Sequence, residues 1–432
     1  MKPISLMPLL ILFIQILLIT TGCKQTTEPK LEPELKLELE DVSCTEAWIN
    51  LRATNLQLPA NVTLYKNSVA QNNILCYGDT LLYVDSLLPN QTYKFNSIIQ
   101  SSNQQIITSS NELTVTTMDT TSHDFTWQTW TFGQHSSSTL YDVAIIDENN
   151  IWAVGEIYML DSLGRPDPNA YNAVHWDGTK WELKRIYFYT FCGQQSMGSY
   201  PAKSIFAFGS NDIWIGMDGS QIVRFDGQSQ SQPICTPVSI NKLWGSSSSD
   251  LYAVGNNGNI AHWDGVKWRK IESGTYLNIY DIYSDNGEII CIASDKSLSS
   301  GKKILSIRYG ITSEIDNTGL SSNLSSIWFK SQKKYYIVGA GIYFSNNLNK
   351  TNWKRTDYQS TRYSEKIRGT NFNDIFIVGS YNQVLHFNGF SWYEYTEYEF
   401  GENLSVDIKN NMVVMVGWEN DSARIIMGKR QN

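Results

Sequence analysis

At 432 residues, with 41% hydrophobic and 12% aromatic content, the chain is long enough for two or three domains with cores of their own and is not a disordered protein. A formal charge of −8 leaves no overall basic field to attract phosphates, so nucleic acid is excluded as an expected partner. Fourteen Trp and 24 Tyr against 11 Pro suit strands joined by polar turns, and past the N-terminus no long segment carries the 3.6-residue apolar period of a helix.

The chain opens with Lys2, an apolar run over 4–19, and then Thr20-Thr21-Gly22-Cys23. That run is shorter than the ~20 residues of a spanning helix and ends in small residues, which is the pattern of an export signal. Small residues before a cysteine resemble the bacterial lipobox, in which the thiol is acylated and the cysteine becomes the new N-terminus. Thr20 stands where that motif usually has Leu. By this resemblance, residues 1–22 are a removable signal, Cys23 is the lipidation site, and the protein is held to a membrane of the cell envelope. Lys24 is not the Asp associated with inner-membrane retention, so the outer membrane is expected, on its periplasmic or external face. Residues 23–41, rich in Glu and Lys and containing Pro29 and Pro33, read as a tether.

Five further cysteines remain: Cys44, Cys76, Cys192, Cys235 and Cys291. An odd number cannot all pair; Cys44–Cys76 and Cys192–Cys235 are possible disulfides of an exported protein, and five buried thiols are the alternative. None has the close Cys/His spacing of a zinc site, so no metal is expected.

From 42 to 119, short runs such as AWINLRAT, VTLYKN and TYKFNSII alternate apolar and polar residues between turn-formers, the pattern of a β-sandwich. The stretch Leu88-Pro89-Asn90-Gln91-Thr92-Tyr93 resembles the fibronectin type III family. That resemblance makes Tyr93 the corner tyrosine whose hydroxyl bonds back to the backbone, and it implies a spacer module or, less often, an adhesive one. The family's central-strand tryptophan is missing; Trp48 lies on a different strand.

The rest of the chain repeats. The clearest copy runs over 240–271, INKLWGSSSSDLYAVGNNGNIAHWDGVKWRKI, and its parts recur before Gly155, Gly216, Gly255, Gly339, Gly379 and Gly417, with Ser294 in the glycine's place in a degenerate copy. Successive spacings are 61, 39, 39, 45, 40 and 38 residues. Each copy holds four strand-length runs, the last two joined by Asp177-Gly178, Asp264-Gly265 or Asn388-Gly389, which suit type I′ hairpin turns. Four antiparallel strands about every 40 residues describe a propeller blade. The last copy runs out after three strands, and residues 123–132 (HDFTWQTWTF) match the missing fourth, so a seven-bladed β-propeller over 123–432, closed by that strand, is expected. The whole resembles bacterial surface lipoproteins with a fibronectin type III-like domain and a WAVG/HWDG-repeat propeller, an all-β architecture.

Chemistry is thinly marked. His175, His262 and His386 occupy one repeat position and read as structural; His123 and His135 are too few for a metal centre. Trp181, Trp268 and Trp392 read as wedges between blades. No GxSxG, phosphate loop or HExxH motif is present, and no cofactor is expected.

Blade one carries two insertions, 156–172 and the aromatic link 187–200, which propeller topology puts on one face. Arg165, Asp167, Tyr187, Tyr189 and Tyr200 are the expected ligand contacts there, since rings and polar groups suit a polyhydroxylated ligand; the equal alternative is that Tyr187, Phe188, Tyr189 and Phe191 form a longer fourth strand buried against blade two. Thirteen residues before each repeat glycine stand Asp142, Lys203, Lys242, Asp281, Ser326 and Lys366, and Asp407 aligns in the last copy. First strands surround the channel, so these residues are expected to form a solvated charged ring, with a ligand site as the alternative.

The function expected is a monomeric, non-enzymatic binding or scaffold module for an extracellular glycan or protein. A carbohydrate-active hydrolase or lyase using carboxylates of the inserted face, which needs only two acids about 5 to 10 Å apart, and an envelope assembly factor are the alternatives. In a bacterium that processes lipoproteins, Cys23→Ala should abolish incorporation of labelled fatty acid and release the protein from the membrane fraction; continued acylation of the variant would refute the assignment.

Overall fold

The computed structural model describes residues 32–101, 105–296, 301–321, 323–348, 353–395 and 400–431; the signal, Cys23 and residues 24–31 lie outside the described residues. Two sheets come first. One pairs Glu34–Val42, Ala47–Thr54 and Thr80–Val84; the other pairs Val69–Cys76, Ala60–Lys66 and Thr92–Gln100, with Ile106–Ser109 and Leu113–Thr116 both on the last of these. Ile49, Leu51, Val62, Leu64, Phe95 and Val115 bury one core between them. Leu35 and Leu37 belong to that core, so residues 34–41 are a strand rather than part of the tether expected over 23–41. The alternation Leu35-x-Leu37 is a period-2 signal that the surrounding Glu and Lys masked. The backbone N–H of Leu88 donates to Tyr93 Oη at 2.9 Å, tying the corner between the strands.

Seven four-stranded antiparallel sheets follow. Blades 1 to 6 span 139–184, 202–235, 242–271, 278–315, 324–355 and 364–394, and in each the strand order in space is the order in sequence. Blade 7 combines Gly401–Lys409, Met412–Glu419 and Ser422–Arg430 with Phe125–Phe132 as its fourth strand, Ala423 opposite Phe132 and Arg430 opposite Phe125. First strands of successive blades touch, and that of blade 7 touches that of blade 1, so the ring closes.

The apolar core lies between blades. Val143 and Ile151 of blade 1 pack on Val414 and Ile425 of blade 7, and Phe376 and Val378 of blade 6 pack on Val413 and Met415. The closing strand serves both junctions, because period-2 alternation sends Phe125 and Trp127 to one face and Trp130 and Phe132 to the other. Gly428, opposite Trp127, is required by space: a Cβ there would stand 2.3 Å from the indole. Trp181, Trp268 and Trp392 are half-buried in the blade 7/1, 2/3 and 5/6 junctions.

The sandwich seats on one end of the ring. Trp48 points away from its own sheet core and stacks on Phe372 at 5.1 Å and 16°. Lys334 reaches Glu46 at 2.6 Å, and Glu46 also accepts the Tyr83 hydroxyl at 2.7 Å. The Cys44 thiol donates to the carbonyl of Asp119 at 3.3 Å, and Asn373 Nδ2 donates to the same carbonyl at 2.8 Å. Phe372 and Asn373 lie on the turn between the first and second strands of blade 6, and Lys334 is the first residue after the corresponding turn of blade 5. The face carrying second-to-third loops and blade-to-blade links is therefore the opposite, uncovered one.

Cys192 pairs with Cys235, whereas Cys44, Cys76 and Cys291 are buried thiols. The expected alternative pair Cys44–Cys76 does not form, because Cys76 faces the sandwich core and Cys44 faces the domain seam. A chain shortened to begin at 134 should leave strand 422–430 with a free edge and elute as aggregate, whereas one beginning at 122 should stay monomeric. Equal solubility and equal melting of the two would refute closure by 125–132.

Candidate functional site at the channel mouth

The channel is lined by the first strand of each blade, and the register sets which residues meet there. Asp142, Lys242, Ser326 and Lys366 each pair with the residue before their repeat glycine. In blade 2 a bulge after Ala202 moves Lys203 out and puts Ser204 opposite Gly216; in blade 7 a bulge after Asn403 puts Ser405 opposite Val416. The layer is thus Asp142, Ser204, Lys242, Asp281, Ser326, Lys366 and Ser405, not the expected ring with Lys203 and Asp407. Asp407 stands two residues further along its strand, one layer deeper, beside Arg368 of blade 6. The same bulge precedes Asp142, Asp281, Ser326 and Lys366, where the count holds; it fails in blade 2 because Gly216 stands one residue nearer the turn on its strand than Gly155 does, and in blade 7 because the hairpin between Ser405 and Val416 is one residue shorter than that between Asp142 and Val154.

These residues form two copies of one arrangement. Asp142 of blade 1 accepts Ser204 Oγ at 2.8 Å and the Ile205 N–H at 3.0 Å from blade 2, and both its oxygens lie 2.7 Å from Lys242 Nζ of blade 3. Asp281 of blade 4 accepts Ser326 Oγ at 2.5 Å and the Ile327 N–H at 3.1 Å from blade 5, and Lys366 Nζ of blade 6 at 3.1 Å. Each serine in turn accepts the next blade's backbone N–H, Leu243 at 2.9 Å and Ile367 at 3.2 Å. Ser405 of blade 7 returns to Asp142 at 2.8 Å. Both carboxylates are buried, so the layer is a hydrogen-bonded seam rather than a solvated lining.

The second copy has an addition. Arg368 grips Asp281 with two nitrogens at 2.7 and 2.9 Å, and its position in the first copy is filled by Trp244. Arg368 was missed by sequence reading, although a charged residue where other copies carry Phe206, Trp244, Tyr283 and Trp328 is a visible signal. Burial by itself would raise the Asp281 carboxyl, but Arg368 and Lys366 overcome it and hold it well below the usual range. Asp142 is likewise lowered, by Lys242 and Lys366 against burial. Burial pushes Lys366 down to about 8, with Arg368 and Lys242 adding to the effect against Asp281. Asp407, which accepts the N–H groups of Ile145 and Ile408, is raised by burial.

Above this layer, on the uncovered face, the channel opens into a cavity of about 420 Å³ floored by Asp142, Lys242 and Lys366. Its walls hold Lys203, whose ammonium lies 3.8 Å from the Tyr141 ring, and Lys296, which pairs with Glu365 at 2.6 Å beside the Tyr280 ring. Asp218 and the amides Asn241, Asn256 and Asn278 complete the rim.

The blade-one insertions flank this mouth and lean on each other. Glu156 accepts the hydroxyls of Tyr141 and Tyr158, linking the loop to the cavity wall. Asp167 pairs with Arg185 at 2.6 Å, whose guanidinium lies 3.8 Å over Tyr171, and buried Asn172 bonds the backbone of Ile186 and Tyr200. Asp167 is thus a strut between the first insertion and the end of the fourth strand of blade 1. Arg165 is exposed and pairs with Asp161 at the loop tip. Tyr187 is exposed, Tyr189 bonds Gln232 through its hydroxyl, and Tyr200 packs against the blade 1/2 core. Phe188 is fully buried, and the Cys192–Cys235 bond joins the link to the outer strand of blade 2. The same face exposes Leu163, Phe191, Met197, Tyr276, Tyr381 and Phe400.

The repeated histidines hold strands. His175, His262 and His386 bond Asn150, Asp250 and Asp374 of the neighbouring strand at 3.0, 2.6 and 3.2 Å, and stack on Trp152, Tyr252 and Phe376. His123 sits against His386, with their Nδ1 atoms 2.8 Å apart.

No family model and no curated protein matches this sequence. Among solved structures, it is similar to YCF48 bound to D1 peptide, at 16% identity and a TM-score of 0.52 over 73% of this chain and 100% of that one. It is also similar to the WD40 β-propeller domain of Doa1, at 13% identity and a TM-score of 0.50 over 69% of this chain and 96% of that one. At these identities the likeness shows a β-propeller fold and nothing further.

The lowered carboxylates make an acid limb in stability. Their folded values lie below the ordinary 3.8, so the stability they contribute is present above about pH 4 and is lost as pH falls through their folded range. Asp281→Asn should flatten that limb and destabilise the fold at pH 7 by ~3–5 kcal/mol, because Arg368 and Lys366 lose their buried counter-charge. Unchanged acid dependence of the melting temperature in the variant would refute this.

Proposed function

We propose that the chain is a non-enzymatic binding module of the bacterial cell envelope, anchored by a lipidated Cys23, that takes an extracellular glycan or protein segment on the uncovered propeller face. One observation carries the reading: the sandwich occupies one end of the ring, and the opposite end gathers the cavity, both blade-one insertions and the exposed apolar side chains. Binding surfaces concentrate on loops held by a rigid scaffold, and exposed apolar groups rimming a polar centre suit partner recognition. A propeller solved with a peptide, YCF48 bound to D1 peptide, supports such a role for this fold. The Cys192–Cys235 bond supports export, since disulfides persist in oxidising compartments. The sandwich then acts as a fibronectin type III-like spacer, a reading favoured by the Leu88–Tyr93 corner bond. Its seam against blades 5 and 6 turns the binding face away from the anchored end.

The test is a glycan array and a peptide array probed with the intact protein and with a variant in which residues 160–168 are replaced by a short Gly-Ser turn. That replacement spares buried Ile157 and Asn172 and removes the Asp167–Arg185 pair at the edge of the ring, so the melting temperature should fall only slightly while array binding is lost. Binding by the variant at the intact protein's level would refute the face assignment.

A further inference from the structure

The two copies of the channel arrangement differ in one respect that bears on the ligand. In the first, one carboxylate meets one ammonium, and Lys242 Nζ lies 2.7 Å from both oxygens of Asp142. In the second, one carboxylate meets two cations. Arg368 takes both oxygens of Asp281 at 2.7 and 2.9 Å, and Ser326 and the Ile327 N–H take further lone pairs. Among the described residues Lys366 is left with a single hydrogen bond, at 3.1 Å, the longest side-chain bond to either aspartate. An ammonium has three donors, and this one lies at the cavity floor with only 9% of its side chain exposed.

Asp142, the other carboxylate that attracts Lys366, is held by Lys242, Ser204 and Ser405, and Asp407, further along the channel, is turned to the backbone N–H groups of Ile145 and Ile408. Among the described residues, neither Lys366 nor Arg368 hydrogen-bonds it. The mouth therefore ends in a buried cation whose counter-ion is already engaged, at the base of a cavity of about 420 Å³ open to solvent on the uncovered face.

We propose that the channel mouth is a carboxylate-binding site, in which Lys366 receives one oxygen of a ligand carboxylate. The proposal rests on the reading of this face as the ligand face and names the chemistry that the face selects. Charge count favours a singly charged group. With Lys203 and Lys296 set against Asp218 and Glu365 on the walls and Lys242 against Asp142 on the floor, the charge left over is that of Lys366, which matches one carboxylate rather than a dianion such as phosphate. Tyr280 and the rim amides of Asn256 and Asn278 suit the polar body attached to such a group. The burial that depresses Lys366 is the same imbalance seen in its protonation, and an arriving anion relieves it.

The experiment is calorimetric titration of the intact protein with sodium D-glucuronate and with N-acetyl-L-glutamate α-amide, an acidic sugar and an acidic side chain. Methyl glucoside and N-acetyl-glutamine amide are the neutral counterparts. At least one acid should bind about tenfold or more tightly than its neutral counterpart, and Lys366→Met should erase that preference. Which acid prevails identifies the source of the carboxylate. Because Lys366→Met removes a buried group, the wild-type protein supplies a second readout: lysine Nζ resonances should show Lys366 shifted by the bound acid and Lys242 unmoved. Equal binding of acids and neutral counterparts, or an Nζ signal of Lys366 that does not respond, overturns the proposal. Loss of array binding on replacing 160–168 together with no acid preference would overturn the carboxylate site alone and leave the face assignment standing.

Discussion

Everything in the propeller depends on closing a ring of sheets whose cores lie between them. A blade of four strands has two apolar faces and no core of its own, so each face is buried only when a neighbour stands on either side. Seven such junctions need a seventh blade that meets the first. That blade is assembled from the two ends of the domain, with Phe125–Phe132 beside Ser422–Arg430. Phe125 and Trp127 fill one junction while Trp130 and Phe132 fill the next, so a single strand completes two cores and removes an edge.

Closure brings seven first strands together around a narrow axis, where their inward groups must be satisfied by one another. The solution is polar: an aspartate, a serine and a lysine on three successive blades, used twice, with Ser405 joining the end to the beginning. Each contact crosses a blade boundary, and each serine also accepts a backbone N–H of the following blade. A buried ion pair adds little net stability over an apolar pair, but it is costly to break and it sets register. The seam is thus best understood as fixing how the blades align, and the substitution of Arg368 for an aromatic residue in its second copy leaves a local excess of positive charge facing the mouth.

The sandwich turns this symmetric ring into a protein with two unlike ends. Its seam uses Trp48 on Phe372 and the buried Lys334–Glu46–Tyr83 contacts, all at one end of the ring. The short polar turns of that end are covered or repetitive, while the longer links of the other end carry the insertions, the disulfide and the cavity. Rigidity on the open side comes from internal struts, namely Asp167 with Arg185 and Asn172 with the 186–200 backbone. Two of the residues expected to meet ligand, Asp167 and Tyr200, serve that rigidity instead, whereas Arg165 and Tyr187 remain exposed to solvent.

Local signals in the sequence were enough for the all-β class and the propeller repeat. Glycine near the end of six of the seven second strands, Asp-Gly and Asn-Gly at hairpin turns, and apolar runs of strand length each follow from short-range backbone rules, so they survive without knowledge of the fold. The aspartates and lysines of the channel also showed, as polar residues recurring beside an apolar position. What only the tertiary structure decided were matters settled between residues far apart in the chain. Hairpin lengths exchanged Lys203 for Ser204 and Asp407 for Ser405, because a strand's register answers to its partner and not to a count along the chain. Residues 34–41 read as tether until Leu35 and Leu37 met a second sheet, and Cys44 took its place at a seam that exists only once two domains dock. The pairing of Arg368 with Asp281 spans 87 positions and two blades, and the charge balance of the mouth follows from that contact. Periodicity is written in neighbours along the chain, whereas charge compensation in a closed ring is decided across it.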